Sequence, residues 1–134
     1  MICLKIKALF PRIEIGFGDE GLVKAATFDS PRDGFLINAV VGMIGFKPTI
    51  EAIKINRSVL LANKETLVVG GELIKKELAK SKAKLIPIDS EHSAIMQCLE
   101  GRNKEEVSEL IITASGGAFR NKSREELKDV TIVD

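Results

Sequence analysis

Four consecutive residues, Asp89-Ser90-Glu91-His92, follow the apolar run 85–88 and form a chemically dense set: two carboxylates, a hydroxyl and the only histidine of the chain. Asp89 and Glu91 are two apart, so in extended backbone their carboxylates point to one side. Together they can hold a hard cation such as Mg²⁺ or Mn²⁺, and carboxylates without thiolates favour those ions over zinc. Ser90 then faces elsewhere, available to hydrogen-bond a ligand. The same spacing suits a helix start, with Asp89 or Ser90 as N-cap and Glu91 beside the positive helix end. On spacing alone the cap is the commoner use, and a single histidine such as His92 is more often structural than ligating.

Two further clusters share this placement after an apolar run. Asn63-Lys64-Glu65 follows "SVLLA" (58–62). A lysine there can bind an anion or a substrate hydroxyl, assisted by a helix N-terminus; the plainer reading is an Asn63 cap and a solvated first turn. Ser115-Gly116-Gly117 follows "ELIITA" (109–114). Its glycines let backbone amides approach a phosphate, and the alternative is an ordinary turn. A nucleophilic serine fits less well, because the GxSxG elbow needs glycine where Thr113 stands. Arg120 suits either a phosphate or solvent.

The elements that must position these clusters alternate. Strands are predicted over 12–17, 34–42, 58–62, 83–88 and 107–115, the second a near-continuous apolar run expected to be buried on both faces. Helices are predicted over 19–28, 47–56 (with Pro48 near its start), the stretch after Asn63, and 90–101 ending at Gly101. Leu67, Gly71, Ile74 and Leu78 make one stripe of the third helix. Gly70 and Gly71 each weaken it by roughly 1 kcal/mol relative to alanine, which points to close packing against a neighbour. Ser123 and Glu126 form a capping box for a helix over 123–130. Strand–helix alternation of this kind belongs to an α/β fold with a mostly parallel sheet, in which ligands bind at the carboxyl ends of strands.

Composition narrows the function classes. The 134 residues are 45% hydrophobic and 29% charged, with 20 Lys and Arg against 19 Asp and Glu. This balance, with no Trp or Tyr, provides neither a basic field nor stacking platforms, so no nucleic-acid partner is expected. Cys3 and Cys98 form no CxxC and suggest a reducing cytoplasm rather than a disulfide framework. The start, "MICLKIKALF", has no signal-peptide core, and "FLINAVVGMIGF" carries Asn38 and is too short to span a bilayer, so no membrane partner is expected either.

Taken in order, "LLANKETLVVGGELI", "LIPIDSEHSAIMQCL" and "IITASGGAFR" resemble the 1-deoxy-D-xylulose 5-phosphate reductoisomerase family. The likeness extends to "INAVVGMIGFKPTIEAI" upstream and "SREELKDVTIVD" downstream, covering nearly all of the chain from about Ile13. The resemblance implies a Rossmann-like, mostly parallel sheet with flanking helices. Residues 1–80 would be the C-terminal part of an NADPH-binding domain, and residues 81–134 the start of an α+β catalytic domain. It implies an NADPH-dependent conversion of 1-deoxy-D-xylulose 5-phosphate to 2-C-methyl-D-erythritol 4-phosphate in isoprenoid biosynthesis. Asp89 and Glu91 would ligate a divalent cation (Mn²⁺, Mg²⁺ or Co²⁺). Lys64, Ser90, Glu91 and Ser115 would contact the sugar phosphate, and Asn63 and Glu65 the nicotinamide cofactor. Lys64, Asp89, Glu91 and His92 would serve catalysis, His92 from behind the first layer. The family is usually homodimeric and cytoplasmic in bacteria, or plastid-located in a plant or alga.

The family's GxTGSxG turn has no match here; "GFGDEG" (16–21) spells GxGxxG but precedes acids rather than an apolar helix start. The family's third metal carboxylate and flexible lid lie beyond the matched motifs. A central segment, inactive by itself, is therefore expected. A degenerate paralogue that only binds or dimerises is the alternative. A different α/β oxidoreductase, such as a homoserine-dehydrogenase relative, fits the rhythm but leaves the Asp89–His92 and Ser115–Gly117 clusters unexplained.

Overall fold

The computed structural model describes residues 2–28, 34–113, 117–131 and 133. Its centre is a three-stranded parallel sheet in the order β1 (Phe35–Asn38), β2 (Ser58–Leu61), β3 (Leu85–Pro87). Helices α1 (Ile2–Leu9) and α2 (Gly18–Ala26) precede it. Helix α3 (Phe46–Lys54) connects β1 to β2, α4 (Glu65–Leu78) connects β2 to β3, and α5 (Ser90–Leu99) follows β3. Parallel neighbours need crossover connections, and α3 and α4 supply them. The α/β class and the parallel sheet are as the alternation predicts.

Strand register explains the core. Leu36 pairs with Val59 and Val59 with Leu85; Asn38 pairs with Leu61 and Leu61 with Pro87. Side chains at alternate positions share a face. This face therefore carries Leu36, Val59, Leu61 and Leu85 against Ala52 and Ile53 of α3 and Ile74 of α4. Ile53, Val59 and Ile74 are completely buried, each worth about 1.5–3 kcal/mol on removal from water. Leu67 and Leu78 of the predicted stripe pack on this cluster.

Several boundaries differ from the sequence reading. The strand expected over 34–42 is only four residues long and lies at the sheet edge, with Phe35 and Ile37 exposed. The backbone beyond it turns at Gly42, whose φ of 80° is open to glycine at little cost. The predicted strand 12–17 is a turn and irregular chain. The backbones of Gly16 and Gly21 meet there, so closely that a Cβ on Gly16 would stand 2.8 Å from Gly21 Cα. The strand expected over 107–115 is irregular through residue 113, where Leu110, Ile111 and Ile112 are exposed and no ladder partner lies alongside among the described residues. The Ser123–Glu126 capping box forms in both directions, yet residues 124–129 make turns rather than a helix. Conversely, "ICLKIKAL", assigned no element from its sequence, is α1.

The adjacent glycines of α4 differ in role. At Gly70, φ −152° and ψ 36° break the helix, and a Cβ would stand 2.1 Å from Phe46 Cε2. This is close packing, as expected. At Gly71 a Cβ would meet nothing within 4 Å. Past α5, Gly101 has φ 73°, the left-handed residue that ends a helix, as the sequence predicts.

Candidate functional site

The carboxyl ends of the three strands are tied together by backbone bonds. Ala62 N donates to Asn38 O at 2.9 Å, and Ile88 N to Leu61 O at 3.0 Å. The turns entering α4 and α5 are therefore neighbours.

Below them lies a buried polar network that the sequence reading did not identify. Asn38 Nδ2 donates to Gly45 O at 2.8 Å and to Thr49 Oγ1 at 2.7 Å. Asn63 Nδ2 donates to Gly42 O at 2.8 Å and also to Val40 O. Asn63 Oδ1 accepts from Thr66 N at 2.9 Å and from Thr66 Oγ1. Asn63 thus caps the start of α4, as one sequence reading held, and it also grips the Val40–Gly42 loop. Its side chain is 2% exposed and both of its polar atoms are engaged. The available sequence signal for Asn38 was a polar residue in an apolar strand; Thr49 and Thr66 gave none. Gly45 packs closely against this network: a Cβ there would stand 3.0 Å from both Asn38 Nδ2 and Asn63 Cγ, so those side chains would have to give way to admit one.

Above the network, Lys64 and Glu91 meet. Lys64 Nζ donates to Glu91 Oε2 at 3.0 Å, and Ser90 Oγ donates to the same oxygen at 2.9 Å. The Lys64 hydrogen bond, the Glu91 backbone amide and the Ser90 hydroxyl lower the Glu91 carboxyl to about 2. The same hydrogen bond raises the Lys64 amine, with smaller support from the charges of Glu91 and Asp89. Both side chains are partly exposed, 49% for Lys64 and 36% for Glu91, so the pair contributes little to stability. It spans two turns 27 residues apart in sequence, whose mutual position is held by the backbone bonds between the strands.

Asp89 is the N-cap of α5: its Oδ2 accepts from His92 N at 3.3 Å and lies 2.7 Å from His92 Nδ1. The capping reading of this residue is thus realised. Glu91 lies one position into the helix after Ser90. Ser90 and Glu91 line a cleft of about 200 Å³ with Ala94, Ile95, Ile111, Ile112 and Thr113. The third predicted strand end therefore reaches the same cleft as far as Thr113, while Ser115 lies outside the described residues. Glu65 is exposed in the first turn of α4. Among the described residues no group of three His, Cys, Asp or Glu side chains could hold a metal ion. Asp89 and Glu91 are nonetheless hard oxygen donors, and Glu91 already binds a cationic group.

A parallel sheet with its charged and hydrogen-bonding side chains gathered at the strands' carboxyl ends defines a member of the open α/β class. Residues 4–71 match the family model for 1-deoxy-D-xylulose 5-phosphate reductoisomerase, and residues 85–134 match the model for its C-terminal domain. The chain belongs to the 1-deoxy-D-xylulose 5-phosphate reductoisomerase family. It is 49% identical over 121 residues to a relative of that name from Geobacillus sp. (strain WCH70), covering 90% of this chain and 31% of the relative. To one from Bacillus thuringiensis subsp. konkukian (strain 97-27) it is 47% identical over 131 residues, covering 98% and 34%. The chain thus spans about a third of the length of the curated relatives it matches. A solved reductoisomerase from Zymomonas mobilis in complex with NADPH superimposes with TM-score 0.72 at 40% identity, over 97% of this chain and 34% of that one. Another, in complex with NADPH, fosmidomycin and magnesium, does so with TM-score 0.73 at 33% identity, again over 97% and 34%.

Proposed function

We propose that this segment supplies the metal-, substrate- and nicotinamide-facing turns of an NADPH-dependent 1-deoxy-D-xylulose 5-phosphate reductoisomerase. The observation carrying this reading is the convergence of Lys64 and Ser90 on one carboxylate oxygen of Glu91, at adjacent strand ends. Asp89 and Glu91 would hold the divalent cation, Mn²⁺, Mg²⁺ or Co²⁺; both are hard donors, and Glu91 stays ionised to low pH. A cation held there would supply Lewis-acid polarisation of substrate oxygens, and a bound nicotinamide would supply hydride.

This chain's own residues bind and orient. Lys64 and Ser90 present N–H and O–H donors to substrate oxygens, with Ser115 as a further contact. His92 steadies Asp89 through Oδ2. Glu65 lies on the cofactor side. Asn63 supports the cofactor side through the Val40–Gly42 loop, because its own side chain is already committed to that loop and to Thr66. Residues 1–80 belong to the cofactor-binding part in this reading. Residues 81–134 open the catalytic part, with β3 joining the cofactor sheet. No helix among the described residues is long and apolar enough to cross a membrane. A cytoplasmic, homodimeric protein in isoprenoid biosynthesis fits this reading.

The test is a Mn²⁺ titration followed by electron paramagnetic resonance. The chain should bind Mn²⁺ weakly, and Glu91→Gln should abolish that binding. Identical titrations would remove the metal role of Glu91 and favour a non-catalytic binding module. Given NADPH, Mn²⁺ and 1-deoxy-D-xylulose 5-phosphate, the 134 residues alone should leave NADPH unoxidised, since they contain two of the family's acidic ligands and no GxTGSxG turn. Steady oxidation would contradict this.

A further inference from the structure

Lys64 is placed both to neutralise Glu91 and to serve a ligand, and it cannot do both with one ammonium group at once. Its backbone is anchored: Asn63 beside it is fixed to Val40, Gly42 and Thr66, and Leu67 N donates to Lys64 O at 3.0 Å. Its side chain is not, being half exposed and held at its tip by one bond to Glu91 Oε2. That oxygen also accepts from Ser90 Oγ, so it already carries two donors. A cation taking that oxygen must displace donors aimed at the same lone pairs, and an ammonium beside a divalent ion is repelled as well.

We propose that Lys64 and the divalent cation compete for Glu91, so that metal binding releases the Lys64 amine into the cleft and thereby couples metal occupancy to the capture of an anionic or oxygen-rich ligand. This rests on the proposed metal role of Glu91. Release should be easy, since an exposed ion pair shifts an equilibrium by only about two- to fivefold. It should also be local. Lys75 and Lys80 make pairs of nearly the same length with Glu72 and Glu77, 2.9 and 3.0 Å, on the exposed surface of the same helical region. They are built-in controls for general screening by salt.

The experiment is amine acylation of the 134-residue chain with a water-soluble acetylating ester, read lysine by lysine by peptide mass spectrometry, with and without Mg²⁺ at constant ionic strength. Lys64 should acylate about two- to fivefold faster with saturating Mg²⁺, while Lys75 and Lys80 keep their rates. In Glu91→Gln, Lys64 should react at the faster rate whether or not Mg²⁺ is present. Lys64→Met should bind Mn²⁺ tighter by a similar factor, and Lys75→Met should bind it as the unaltered chain does. If metal binds through Glu91 but the Lys64 rate is unchanged, or rises only in step with Lys75 and Lys80, the competition is refuted while the metal site stands. If Glu91→Gln leaves Mn²⁺ binding intact, the site reading fails first and the competition fails with it.

Discussion

Asn63→Asp changes one group while keeping shape. The amide Nδ2, which donates to Val40 O and Gly42 O, becomes an oxygen. The Oδ1 that accepts from Thr66 N and Thr66 Oγ1 is retained. The helix cap therefore survives, and the loss is confined to the grip on the Val40–Gly42 loop. Each lost hydrogen bond costs about 0.5–1.5 kcal/mol net, and leaving buried partners unsatisfied raises that to about 1–3 kcal/mol apiece. The side chain is 2% exposed, so water cannot easily replace the donors. Two such contacts, now acceptor against acceptor, give a destabilisation of about 2–6 kcal/mol at neutral pH. The introduced carboxyl is buried against two carbonyls, which raises its pKa in the folded chain. Its penalty is therefore full above that raised pKa and shrinks as pH falls through it, because the protonated form can donate once. Urea unfolding of both chains at pH 7 and pH 4 measures this. A variant as stable as the unaltered chain at pH 7, or one with the same deficit at both pH values, would refute the clamp.

Three further outcomes follow from the same coordinates. Gly70→Ala should lower stability by about 1–3 kcal/mol through overpacking, because the new Cβ falls 2.1 Å from Phe46 Cε2. Gly71→Ala, with nothing within 4 Å of its Cβ, should instead stabilise by up to about 1 kcal/mol; urea midpoints moving in the same direction would contradict the close approach at Gly70. The Glu91 carboxyl should titrate near 2 rather than 4.5, and Lys64→Met should move its midpoint upward, both followed by carbon NMR of the side chain. Because its folded value lies below its unfolded one, any stabilisation from Glu91 is present above about pH 4.5 and is lost as pH falls through about 2.

The sheet was legible because β2, α3, α4 and α5 obey strong local rules. Val59 and Leu61 alternate with less buried neighbours, Ile50 and Ile53 sit at helical spacing, and Asp89 caps. The misread segments lacked a partner to make their pattern count. Residues 12–17 alternate as a strand should, but the chain turns at their start, where Ile13 N donates to Phe10 O at 3.2 Å, and Gly16 then packs against Gly21 rather than against a strand. Residues 107–113 are β-like in composition and have no strand beside them among the described residues. A period-2 pattern reports which face of a strand would be buried, whereas a ladder exists only where a neighbour offers its own N–H and C=O groups.

The candidate site shows the same division. Lys64, Asp89, Ser90 and Glu91 were identifiable because chemistry-bearing side chains followed apolar runs, and strand ends are where a parallel sheet exposes them. Asn63 was noticed for its neighbours and for its capping chemistry, while its second task, holding the Val40–Gly42 loop, required a contact 21 to 23 residues back in the chain. No local pattern encodes such a contact. Yet that contact gives the exposed Lys64–Glu91 pair its setting: the pair is weak as a bond, but its lysine stands on a backbone fixed by buried hydrogen bonds. A rigid base with a loosely held tip lets one residue occupy a carboxylate and then leave it, so the buried asparagine and the exposed lysine are best understood as two parts of one device.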